Sequence, residues 1–221
     1  MTEKRKLSSY KIIIYCAVFY ALWSVRELVI RPQFLDSLND VSFQIAETLM
    51  KLLVWTLPAV LLIKRYHDDM WIGLKEILTT KPKWFWYILI MVAFFFFNAI
   101  RAWIAFGTLA VHPDFKPITL VEAVIFVGVT EEIVFRGWLL NAMLKRMKYR
   151  FALLLNAVLF ALIHYPIWIY HGYGALTILS GSLSVVVLSA VFSWTFTKSK
   201  SIFIPIVIHM SWNLFLTLFF G

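Results

Sequence analysis

Three pairs of residues at a spacing of four stand out: Glu132 with Arg136, beside Glu131; Phe160 with His164; and His209 with Asn213. All three interrupt stretches that are otherwise apolar enough to sit in lipid. On an α-helix, residues four apart share a face, so each pair presents its side chains together. An ionisable group at the centre of a bilayer costs about 2.5 to 3.5 kcal/mol. Two adjacent carboxylates, a guanidinium and two imidazoles at depth therefore point to a buried polar site, and they make the chain a candidate enzyme.

The elements that must position these residues follow from composition. With 62% hydrophobic and 15% charged residues and a mean hydropathy of +0.81, the chain belongs among membrane proteins. At about 20 residues per crossing, the apolar runs predict an all-α polytopic bundle of about seven spans. These run near Tyr10 to Ile30, Val41 to Ile63, Trp84 to Leu109, Ile118 to Met143, Phe151 to Trp168, Tyr173 to Thr197 and Ile202 to Phe220. No soluble domain or internal repeat interrupts them, so residues 1–221 read as one integral membrane domain, with the motifs within about 118–217. Residues 64–83 form the longest cytoplasmic segment and suit a short interfacial helix. Cys16 is the only cysteine, which excludes a disulfide framework and a cysteine-rich metal site.

Basic residues set the expected orientation. Fifteen of the 21 Lys and Arg residues fall on one side: Lys4 to Lys11, Lys64 to Lys83, Lys145 to Arg150, and Lys198 with Lys200. The opposite loops carry only Arg31 and Lys116. The positive-inside rule places the N-terminus in the cytoplasm and, with seven spans, Gly221 outside. The net charge of +9 is then topology plus attraction to anionic lipid, and nothing in its placement indicates nucleic acid. Counted from the cytoplasmic ends, Glu131, His164 and Asn213 lie 12 or 13 residues deep, which is about 18 to 20 Å at 1.5 Å per residue. His209 is one turn shallower. Three helices can thus aim polar groups into one cavity.

Glu-Glu-x-x-x-Arg, Phe-x-x-x-His and His-x-x-x-Asn, in this order on successive helices, resemble the CPBP family of intramembrane proteases. That family includes the CAAX prenyl proteases and the bacterial bacteriocin-processing, or Abi, proteins. The resemblance covers about residues 118–217. It implies an intramembrane endopeptidase acting on a membrane-associated peptide or protein. Glu131 and His164 would hold and activate the water, His209 and Asn213 would stabilise the oxyanion, Glu132 would pair with Arg136, and Phe160 would support the site. The lipid bilayer is the other partner, and a bacterial plasma membrane the expected location.

Zinc is the competing mechanism. Glu131, His164 and His209 are ligand types that suit zinc with an open fourth position, but no His-Glu-x-x-His occurs, and the metal-free arrangement is favoured. Aspartyl proteolysis is excluded because Asp36, Asp40, Asp68, Asp69 and Asp114 all fall in expected loops. A serine type lacks its glycine-rich turn. The remaining charges have structural readings: Glu47 with Lys51 as an internal ion pair, Arg26 and Glu27 as residues that snorkel to the outer boundary, and Glu122 in the first turn of its span, favoured there by the helix dipole. Arg101, two-thirds of the way through the third span, has no partner in this reading. The alternative function is a non-catalytic membrane immunity or transport protein that retains the polar site.

Overall fold

The computed structural model describes residues 6–221; Lys4 and Arg5, counted in the charge asymmetry, lie outside the described residues. Eight helical segments follow one another: α1 (Ser9–Leu35), α2 (Asp40–Asp69), α3 (Leu74–Thr79), α4 (Phe85–Phe106), α5 (120–144), α6 (Tyr149–Tyr170), α7 (Ala175–Ser199) and α8 (Phe203–Phe220). Among the described residues there is no strand. Six of these helices are long and apolar enough to cross a membrane. The seventh expected span, α5, is a continuous helix of comparable length, set apart by Glu122, Glu131, Glu132 and Arg136.

The position of α5 explains how it carries them. Phe135, Trp138, Leu139 and Leu140 on this helix are fully buried, and it packs against α2, α6 and α8. Charged groups in a membrane protein face the bundle interior for want of water elsewhere, and α5 is the helix with most interior to face. The helix α4 sits at the periphery, held to α8 by edge-on aromatic contacts such as Phe94 with Trp212 at 5.0 Å and Phe95 with Phe215 at 5.4 Å.

Several helices are locally irregular. Segments Arg26–Leu35, Lys51–Thr56, Leu120–Phe126 and Ile133–Leu140 are π-helical, with one hydrogen bond per turn reaching five residues back, as from Leu57 to the Leu52 carbonyl. Pro32 lies inside the first and Pro58 just after the second; each lacks the N–H a regular turn needs, and the wider turn absorbs the mismatch. In α6 the helix breaks at Ile163 and His164, because Pro166 has no N–H for the Leu162 carbonyl. Two carbonyls beside the break are taken up by α1: Tyr20 donates its hydroxyl to Leu159 at 2.5 Å and Trp23 its indole N–H to Ile163 at 2.9 Å.

The segment expected to lie on the interface is largely drawn into the fold. Residues 64–69 continue α2, only Leu74–Thr79 forms a helix of its own, and Met70, Ile72 and Ile77 are buried. The reason is Asn141 near the end of α5, whose fully buried amide accepts from Ile72 N–H at 2.8 Å and donates to the Ile72 carbonyl at 3.0 Å.

Candidate active site

Glu132 is the centre of the polar cluster. Its Oε1 accepts from Arg136 Nη1 at 3.0 Å and lies 2.8 Å from His209 Nδ1, so one carboxylate ties α5 to itself and to α8. The Arg136 guanidinium donates onward to Ser189 of α7, at 2.6 Å to Oγ and 3.0 Å to the carbonyl. The rings of Phe160 and Phe192 cover it at 4.7 and 5.3 Å. Glu132 and Arg136 are fully buried, and among the described residues Glu132 Oε2 and Arg136 Nε find no hydrogen-bond partner. His209 stacks on Phe192 at 4.6 Å. With Nδ1 on Glu132, its Nε2 faces Glu131 Oε2 at 3.9 Å.

The close approach of α5 and α8 depends on Gly128. A Cβ there would stand 2.6 Å from Met210 Cγ, so only glycine fits without displacing the neighbouring side chain. Three turns further along α8 from its start, Asn213 donates its amide to the Ala123 carbonyl of α5 at 2.8 Å.

Glu131 and His164 line one cavity of about 290 Å³ between α1, α2, α5 and α6. His164 Nδ1 lies 3.1 Å from the Phe160 carbonyl. A carbonyl can only accept, so Nδ1 carries the proton and Nε2 of the neutral ring is a free acceptor. His209 adjoins this cavity through Glu131 rather than lining it, Phe160 packs behind the ring of His164 at 5.5 Å, and Asn213 is turned toward Ala123 instead. The arrangement offers a carboxylate that, among the described residues, makes no hydrogen bond, an imidazole acceptor and a second imidazole held by a carboxylate, which are the parts of a water-activating site.

Residues 113–215, just under half of the chain, match the family model described as type II CAAX prenyl endopeptidase Rce1-like. This segment is similar to the Rce1-like CAAX endopeptidases. Neither the comparison with curated proteins nor that with solved structures gives a match. The match runs over α5 to α8, which carry the three motifs.

Outside the Rce1-like segment, α1 and α2 complete the cavity, and most of its charged lining lies there. Glu27, Arg31, Glu47 and Lys51 line it together with Glu122 of α5. Lys51 bridges Glu47 at 3.2 Å and Glu122 at 3.1 Å, and Arg31 reaches Glu27 at 3.4 Å. Arg26 pairs with Glu27 and Glu47. This corrects two expectations. Arg26 and Glu27 do not snorkel but are buried in the bundle, because the carboxylate of Glu47 and the π-helical turn of α1 give them partners inside. Glu47 with Lys51 is more than an internal pair, since Glu122 extends it across to α5. The signal for this network was available: all these charges fall in the halves of their helices nearest the loop at 36–39, at depths that can be compared as the motif depths were.

A metal in this Rce1-like site would need Glu131, His164 and His209 to converge. Among the described residues no three His, Cys, Asp or Glu side chains form such a group, although Nε2 of His209 is left free by the contact of Nδ1 with Glu132. As placed, these three side chains do not form a three-ligand zinc centre. Arg101 finds its place away from the site, with Nη1 donating to Asn98 Oδ1 at 3.3 Å and its guanidinium over Phe220 at 4.6 Å.

Proposed function

We propose that the chain is an intramembrane endopeptidase in which Glu131 and His164 activate water without a metal. The observation that carries this reading is the presence of both groups on the wall of one cavity, with His209 Nε2 3.9 Å from Glu131. His209 and Glu131 at that separation do not bond each other, yet each can reach a common oxygen. Water held by Glu131 and the free Nε2 of His164 attacks the peptide carbonyl carbon, and Glu131 takes its proton. The carbonyl oxygen becomes an oxyanion beside His209. With a proton on Nε2, the His209 ring donates to that oxyanion. The proton on Glu131 passes to the leaving nitrogen as the C–N bond breaks. Asn213 holds α8 in register through Ala123 and offers its second amide hydrogen to the same oxyanion.

The substrate is a membrane-associated peptide that descends through the charged vestibule of Glu27, Arg31, Glu47, Lys51 and Glu122. The vestibule rises toward the end of the bundle that holds loops 36–39 and 107–119. The test uses purified full-length protein in nanodiscs and a library of membrane peptides. Glu131→Gln keeps the shape and removes the base, so cleavage should vanish while the protein still folds. A chelator should leave the wild-type rate unchanged. Full activity in Glu131→Gln refutes the mechanism, and chelator-sensitive activity restored by zinc transfers the water to a metal.

A further inference from the structure

A second and larger cavity, about 750 Å³, lies on the opposite face of α7 from the Arg136 cluster. It is a groove between α4 and α7 with Trp212 and Leu216 of α8 on its floor. Its walls are Phe94, Phe97, Leu183, Val187 and Val191 among others, and Arg101 is its single charged residue. Among the described residues no carboxylate lies within ion-pair distance of Arg101. The guanidinium is nonetheless held in place, by the hydrogen bond to Asn98 and by Phe220. Asn98 is itself fully buried and fixed by donation to the Phe94 carbonyl at 2.9 Å.

The groove is polarised along its length. Arg101 lies five residues from the Phe106 end of α4, about 8 Å inside it at 1.5 Å per residue. Ala93 and Phe94, about two turns deeper, meet the Leu188 and Val191 end of α7. A cation near the membrane boundary above an apolar trough is the complement of one ligand shape: an anionic head with a hydrocarbon tail pointing toward the bilayer centre. Basic pockets between transmembrane helices on the cytoplasmic side hold lipid head groups for this reason, and Arg101 repeats the arrangement near the opposite boundary.

We infer that the groove is a specific site for an anionic phospholipid, its phosphate on Arg101 and an acyl chain along Phe94, Leu188 and Val191. The site is separate from hydrolysis and does not depend on the protease reading. Native mass spectrometry of the detergent-purified full chain tests it, with phosphatidylglycerol and phosphatidylcholine of identical acyl chains as competing ligands. Wild type should retain phosphatidylglycerol about fivefold better, the worth of one basic residue at a lipid surface. Arg101→Lys should keep the preference and Arg101→Gln should abolish it. Val187→Trp, on an exposed groove wall, should expel both lipids. Equal retention of the two lipids by wild type, or an unchanged preference in Arg101→Gln, overturns the inference. If Arg101→Gln does not fold, persistence of the phosphatidylglycerol adduct in Val187→Trp overturns it instead. Displacement of the lipid by a lipidated peptide substrate assigns the groove to the protease and also overturns it.

Discussion

Glu132 holds two partners, Arg136 on its own helix and His209 on another, and this double duty separates it from its neighbour Glu131. Glu132→Gln should leave the Arg136 guanidinium with only Ser189, at a cost of about 3 to 5 kcal/mol for a buried charge robbed of its partner. Thermal unfolding in detergent should show that loss, whereas Glu131→Gln should unfold like wild type. Asn213→Ala should slow cleavage about 10²- to 10³-fold, the usual cost of removing one oxyanion donor, measured as kcat on the same peptide. The Glu132 to Arg136 contact could be read from spacing alone, since residues four apart on a helix meet. The bond from Asn213 to the Ala123 carbonyl could not: every residue has a carbonyl, and nothing in the letter code marks which one a π-helical stretch leaves available.

Among the elements, α6 shows how a break directs a side chain. His164 sits at the interruption between Tyr149–Leu162 and Tyr165–Tyr170, and Pro166 causes it. Pro166→Ala restores the missing N–H and should let the helix run straight through, rotating the imidazole out of the cavity. Helicity by circular dichroism should be kept, while kcat falls about 10²-fold, as a displacement of about 1 Å at a reacting group does. A Pro166→Ala variant with normal kcat would show that the break has no part in placing His164. The proline was visible in the sequence, but a long apolar run concealed its effect on direction. The π-helical turns of α1, α2 and α5 were not legible at all, because widening a turn depends on which neighbours offer polar partners. Helix existence was readable for the opposite reason: lipid imposes one solution on an apolar run of 20 residues.

For the whole molecule, the charged vestibule and the lysine-rich ends occupy opposite poles of the bundle. With the positive-inside rule, a reporter fused after Gly221 should read as extracytoplasmic and one inserted at residues 145–150 as cytoplasmic. The reverse result would turn the vestibule toward the cytosol and change the compartment that supplies the substrate. The burial of three ionisable residues in α5, with Glu122 half-buried, has a further meaning, one of time. A helix bearing Glu122, Glu131, Glu132 and Arg136 is the poorest of the seven at settling in lipid by itself. His209, the partner of Glu132, is synthesised 77 residues later. At about 5 to 20 residues per second, α5 waits roughly 4 to 15 s for α8. The i,i+4 contact with Arg136 is the one pairing for Glu132 available throughout that interval, so it acts as a chaperone carried within the helix before it becomes part of a site.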